Sequence, residues 1–446
     1  VSITSPDMLV EIGFDLSDVG GPFFLFGSGT ATNTPEAIAA NPQSIFSNGV
    51  DIGMTYRFGG TLFYDVTDRV TSVSINRGLS RELDRFVTGG AQIEFTNQDR
   101  AFDPFYTASP FYPDIKPRRN VKLSTVVAGS TAVQFTGLIE DWNVDYSVKG
   151  DATASASCTD GFILFGGQQL AAHTATSQTT GARIGAVLDR AEVNWPSGLR
   201  DIDTGAQTLQ ADAVEQGREV LEYLQLVAAS EPGLLFMSKD NDVTFRDRNT
   251  AAAIGTIVFS DAGGTTIPYT DIGISYGTEL LFNRVTVAPL GIAPQDAESL
   301  DSQNEYGVQS LDLSGLLIRS GSAGTADAQA LADYLVSKYS EPELRFEALT
   351  VQLAGLGTAM QTSVLGVELT DIIRVEYQPN GIGDRIVKDV QVIGIRHAVQ
   401  PDRHAVTFTL SSTDTAAFVF GGGTAVASYP FSLFAGGTVT GSPFGL

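Results

Sequence analysis

The chain has 446 residues, 43% of them apolar, and its 27 Lys and Arg against 51 Asp and Glu give a formal net charge of −24. That length implies two to four domains with real cores, while one cysteine and three histidines exclude a disulfide scaffold and leave little for zinc or a Cys/His centre. The acidic balance excludes a basic nucleic-acid reader, and 26 Phe with 13 Tyr exclude a disordered acidic tail.

Residues 1–64 read as an irregular N-terminal arm with a short helix near 35–40. They are expected to hold no signal peptide, and no stretch approaches the ~20 apolar residues of a membrane span. From Asp65 the pattern turns to period two, as in Ser72-Val73-Ser74-Ile75-Asn76 and Gln92-Ile93-Glu94-Phe95-Thr96. Trp142, Val144 and Tyr146 fall on one face of such a run. One face packed and one solvated is the mark of antiparallel sheets, so 65–160 reads as a first β-barrel domain.

From Gly161 the period becomes helical. Ile184, Val187, Leu188 and Ala191 share one face; so do Val214, Gly217, Val220, Leu221, Leu224, Val227 and Ala228, over about four turns. Glu231-Pro232-Gly233 stops that helix, and a hairpin of 234–236 with 243–245 follows. Residues 161–270 therefore read as a small α/β domain. β pattern returns over 274–287. A polar segment covers 289–324, and a helix follows with Thr325 as N-cap, Asp327 in the first turn, and Ala328, Leu331, Leu335 and Tyr339 on one face. Strands are expected over 348–353, 372–377, 390–397 and 405–410. Residues 271–415 thus read as a second β-barrel domain with an insertion at about 289–345, and 416–446 as a glycine–aromatic C-terminal arm.

Val133-Gln-Phe-Thr-Gly137 resembles Val390-Gln-Val-Ile-Gly394, and Ser157-Cys-Thr-Asp160 resembles Ser411-Ser-Thr-Asp414. This is the signal of an internal repeat and of two related β-domains. The fold class expected is β-rich α+β, with two related β-barrels and small α/β domains attached.

Catalytic signatures are missing. No G-x-S-x-G elbow occurs. Cys158 reads as a structural thiol. His397 and His404 flank a turn at Pro401 and read as a solvated hairpin rather than a metal pair. Asp201-Ile-Asp-Thr-Gly205 and Asp240-Asn-Asp242 read as turns rather than calcium loops. The abundance of carboxylates leaves a glycosidase pair open. Aromatic–glycine runs lie at both termini, and their residues Phe24, Phe26, Phe418, Phe420, Phe431 and Phe434 are the candidates for docking a partner. The alternative is that they cover the protein's own barrels.

Asp65-Val-Thr-Asp-Arg-Val70, Ser74-Ile-Asn-Arg-Gly78 and Glu82-Leu-Asp84 resemble, in order, the minor tail proteins of long-tailed bacteriophages. Ile93-Glu-Phe-Thr-Asn97, Phe102-Asp-Pro104, Ile115-Lys-Pro117, Leu221-Glu-Tyr-Leu224, Phe245-Arg-Asp-Arg248, Asn304-Glu-Tyr-Gly307 and Val367-Glu-Leu-Thr-Asp371 continue the likeness over 65–415. The resemblance implies a tail-tip or baseplate hub in the virion, made in the host bacterial cytoplasm. It implies a homotrimer whose six barrels form a pseudo-sixfold ring meeting the tail tube. The partners implied are the distal tail, tail tube, tape-measure and tip or fibre proteins, with DNA passing through without specific binding. It implies no catalytic residues, no cofactor and no metal. The alternatives are a distal tail ring protein, a cell-wall or polysaccharide hydrolase, and a carbohydrate-binding tail protein using Trp142 or Trp195, both of which read as core.

Overall fold

The computed structural model describes residues 5–14, 54–55, 63–79, 88–148, 150–248 and 254–413. The protein is β-rich. Fourteen strands form one sheet, antiparallel except where Ile254–Ser260 runs parallel to Ile372–Tyr377.

The sheet consists of two halves built alike. In the first, the spatial order is Val70–Gly78, Gly90–Thr96, Ala152–Thr159, Ser130–Tyr146, Asn120–Val127 and Asp7–Gly13, beyond which the short strands Phe63–Asp65 and Met54–Thr55 extend the edge. In the second it is Asp271–Tyr276, Leu344–Gln352, Arg403–Ser412, Ile386–Gln400, Ile372–Tyr377 and Ile254–Ser260. Position by position, the first five strands follow one another along the chain in the same way. The sixth strand precedes them in both halves, but runs antiparallel in the first and parallel in the second. The halves join where Val70–Gly78 pairs with the C-terminal part of Ile386–Gln400. Among the described residues no ladder closes either half into a barrel.

Each half carries a long hairpin with one bulge, between Ile139 and Asp141 in the first and between Val392 and Gly394 in the second. A bulge marks a fixed place in a hairpin, so the two can be superposed. Ile139 then corresponds to Val392, and their partners Cys158 and Leu410 correspond to each other. The motif alignment expected Cys158 to match Ser412; it is out of register because it compares short strand residues instead of bulges.

Alternating side chains supply the cores. Val73 and Ile75 in Val70–Gly78, and Ile93 and Phe95 in Gly90–Thr96, point inward and are buried. They pack with Val121, Leu123 and Phe135 in the first half. Phe259, Phe346, Val392 and Phe408 do the same in the second. Burying one such Phe contributes about 1.5–3 kcal/mol. A third core gathers Phe162, Phe165, Leu224 and Phe245 of the α/β unit, and a fourth packs Leu331 and Leu335 against Val285 and Val287.

Several expectations need correction. Residues 7–13 are a sheet strand rather than irregular arm, because Val10 and Ile12 are buried in the first core. The helix expected from Val214 starts at Val220; Gly217 turns the chain at φ 89°, which ends helical geometry before it begins. The helix expected at Thr325 starts at Gly321. Thr325 donates back to the Gly321 carbonyl (3.3 Å), and Asp327 is a buried partner of Arg319 (2.7 and 3.1 Å) rather than a first-turn charge. The polar segment 289–324 holds the strands Gln295–Glu298 and Ser310–Leu316, which flank Arg284–Pro289, and the helix Leu300–Tyr306. The helix Thr358–Gly366 was not expected. The short helix near 35–40, Glu82-Leu-Asp84 and both terminal aromatic runs lie outside the described residues.

Gly78 stands at the join of the halves with φ 92°, where an added Cβ would sit 2.3 Å from the Ile393 carbonyl oxygen. Gly78→Ala is expected to cost about 1–3 kcal/mol from backbone strain alone, seen as a lower urea midpoint. An unchanged midpoint would show that the join relaxes freely.

Candidate assembly surfaces and the polar join between the sheet halves

The join is held by charge inside an apolar surrounding. Arg77 ends its strand pointing inward, 5% exposed, and donates to Glu368 Oε1 (2.6 Å) and to the Met237 carbonyl (3.3 Å). Glu368 also accepts from the backbone N–H of Leu369 (2.9 Å) and of Lys239 (3.4 Å). One guanidinium thus ties the first half, the second half and the α/β unit together.

Asp160 follows the last strand of the first half. Its two carboxylate oxygens accept from the Gly89 N–H (2.7 Å) and the Phe162 N–H (3.0 Å). Burial pushes its pKa up to about 7, against those two hydrogen bonds and the charge of Arg77. Asp160→Asn should cost about 1–3 kcal/mol, because an amide accepts from only one of the two N–H groups and leaves the other unmet. Thermal unfolding at pH 8 checks this; a midpoint equal to the parent's would sink it.

His397 and His404 face each other across their hairpin, 3% and 0% exposed, with Nδ1 of His397 3.0 Å from Nε2 of His404. This corrects the solvated reading: period two places both rings on the packed face. His404 Nδ1 has no hydrogen-bond partner. The tautomer that leaves no His404 N–H unmet therefore carries its proton on Nε2 and donates it to His397. Rings bonded to each other nitrogen to nitrogen do not jointly chelate a cation. Burial lowers both pKa values, that of His404 to about 4; His404, Arg77 and Lys239 lower His397 further. Among the described residues no group of three His, Cys, Asp or Glu side chains is arranged to hold a metal.

Cys158 is buried, and burial pushes its thiol up, away from the nucleophilic thiolate. Trp195 is core, its indole N–H donating to the Leu199 carbonyl (2.9 Å). Asp201 and Asp203 bind Arg246 and the Asp247 N–H rather than a cation.

The surface features lie elsewhere. Phe14, Phe111, Phe102 and Trp142 stack in succession, at 4.7, 5.3 and 5.7 Å between centroids. The row ends beside Phe105, which is 90% exposed, and Tyr146, which is 51% exposed. Asp103 accepts from the Tyr146 hydroxyl (2.7 Å), from the Phe105 N–H (2.9 Å) and from Arg100, and these contacts, that of Tyr146 foremost, hold its pKa below the usual carboxylate range. Tyr276 is 69% exposed on the outermost strand of the second half. The alternation of Trp142, Val144 and Tyr146 is visible in sequence; that Tyr146 and Tyr276 are left uncovered is not. The docking candidates Phe24, Phe26, Phe418, Phe420, Phe431 and Phe434 lie outside the described residues.

No family model matches the chain, and no curated protein matches it. Solved structures do. The 43 kDa tail protein of prophage MuSo2 from Shewanella oneidensis aligns with TM-score 0.51 and 15% identity, over 79% of this chain and 94% of that one. A tail protein from Neisseria meningitidis MC58 aligns with TM-score 0.52 and 13% identity, over the same 79% and 94%. The chain has the fold of these tail proteins, and its structural neighbours are phage tail proteins, as the motif resemblance implied.

Proposed function

We propose that the protein is a non-enzymatic structural component of a phage tail: a homotrimeric tail-tip hub that joins the tube to the tip and encloses the DNA path. The observation that carries this reading is the duplicated sheet. Two equivalent halves per chain, each taken as a barrel-like unit, let three chains present six similar units to a sixfold tube. The fold shared with prophage tail proteins supports the tail setting. Its partners are then the distal tail, tube, tape-measure and fibre proteins. The net charge of −24 suits a wall that repels passing DNA instead of holding it.

Light scattering on the purified chain tests the reading. The expected mass is three chains. A hexamer would favour the distal tail ring, and a monomer making no contact with tail proteins would overturn the proposal. Zymography on host cell wall should show no clearing; activity lost on one Asp or Glu substitution would make the protein a hydrolase.

A further inference from the structure

Among the described residues, two strand edges, one in each half, lack a ladder partner at the places that the internal join fills elsewhere. One is the outer edge of Asp271–Tyr276, which pairs only with Leu344–Gln352. The other belongs to 142–146, which pairs with Ala152–Thr159 on one side, while Asn120–Val127 stops alongside Leu138. Exposed edges of this kind template pairing with another chain.

The internal repeat says what belongs there. With the bulges superposed, Ile272 corresponds to Val73, because they sit opposite the matching residues Leu349 and Ile93; counted along the strand, 272–276 then corresponds to 73–77, with an irregularity between Gly273 and Ile274 on the side of Leu344–Gln352. Likewise 142–146 corresponds to 395–399. Within the chain, 73–77 and 395–399 are the two edges that pair to join the halves: Val73↔Val399, Ile75↔His397, Arg77↔Ile395. Each half therefore owns one copy of both edges. One of each is used inside the chain, and one of each is left over.

The leftover edges also carry apolar side chains that their counterparts bury. Val73, Ile75, Ile395 and Val399 are buried, whereas Ile272, Ile274, Trp142 and Val144 are half-buried, and Tyr146 and Tyr276 are exposed. A second contact points the same way. The helix Thr358–Gly366 of the second half rests on Asn120–Val127 and Ser130–Tyr146 of the first, where Gln134 donates to the Leu365 carbonyl (3.4 Å). The segment at the same place in the first half carries the exposed Phe105, and the strand corresponding to Ser130–Tyr146 carries the exposed Val387.

We infer that 142–146 of one copy pairs antiparallel with 272–276 of the next, in the register Tyr146↔Ile272, Val144↔Ile274 and Trp142↔Tyr276. The occupant of each free edge is a second copy of this chain. The contact repeats the internal join, so it is head-to-tail and closes into a ring when the rotation permits. It places an aromatic pair and two aliphatic-rich pairs across the ladder, the combinations that stabilise cross-strand neighbours. The inference rests on the trimer reading above and specifies its interface.

Cysteine cross-linking of the full chain tests it. The double variants Val144→Cys/Ile274→Cys and Asn143→Cys/Ser275→Cys sample two adjacent pairs, one hydrogen-bonded and one not, so that disulfide geometry is met in one of them. Cys158 is buried and does not compete. On mild oxidation, at least one variant should give linked dimers and trimers on a non-reducing gel, collapsing to single chains with reductant. Val144→Cys/Ile272→Cys, shifted by two residues, should link far less. A trimer by light scattering in which neither in-register pair links, or in which the shifted pair links as well, overturns this interface and leaves the trimer standing. A parent chain that is monomeric overturns both.

Discussion

Arg77→Met should lower the stability of the folded chain by about 3 kcal/mol, the low end for breaking a buried ion pair from one side. The low end applies because Glu368 keeps the Leu369 and Lys239 N–H groups and its side chain is 22% exposed. The loss arises from the charge left behind rather than from the bond removed. Glu368→Gln keeps an acceptor for Arg77 but leaves the more deeply buried charge of the pair uncompensated, so it should also cost about 3 kcal/mol. Arg77→Met/Glu368→Gln should lose less than the two single changes added together, since neither partner is then charged. Urea unfolding of the four proteins closes the cycle. Strict additivity would show that Arg77 and Glu368 do not act as a pair and that the join is held by its ladder alone.

The second large effect is acid destabilisation by the His397–His404 pair. Both groups have folded pKa values below the unfolded value of about 6.5, so the unfolded chain binds more protons as pH falls below that value. Stability is then lost as pH drops, for His404 from about 6.5 down to its folded value of about 4, by about 3 kcal/mol in all. Geometry gives the same sign: a proton added to His404 Nδ1 has no acceptor. Asp160 works in the opposite direction. Its pKa is raised to about 7, so the folded chain gains stability from it as pH falls from about 7 towards the unfolded value near 3.9. His397 adds a loss of the same sign as His404. His397→Leu/His404→Leu removes both partners together, leaves no unmet polar atom from the pair, and should flatten the fall in melting temperature between pH 6.5 and 4.5. If the slope is unchanged, the pair is not what titrates. Arg77 lowers the pKa of His397, so Arg77→Met should bring that folded value closer to the unfolded one and make the loss of stability between pH 6.5 and 4.5 shallower.

Local pattern made much of the fold legible. Val73, Ile75, Ile93 and Phe95 alternate as a half-buried strand must, and they are core. Val220, Leu224, Val227 and Ala228 mark a real helix face. The reading failed where tertiary contact overrides a local signal. Val214 continues the helical period but belongs to a strand, because Gly217 reverses the chain. Asp327 has the look of a first-turn acid, yet Arg319 and Gln207 hold it inside. His397 and His404 flank a turn in sequence, yet the inward phase of their strands buries them.

Side-chain period and motif order are local properties, and they suffice for the β-rich class, the repeat, the face shared by Trp142, Val144 and Tyr146, and the likeness to phage tail proteins. Which repeat residues correspond is set by strand pairing, since a bulge shows in a ladder and not in a string of letters. Packing alone brings Arg77 to Glu368, 291 positions away. Pairing also sets which edges the join consumes and which remain open, because an unpaired edge is a property of neighbouring strands, and no strand encodes its neighbours.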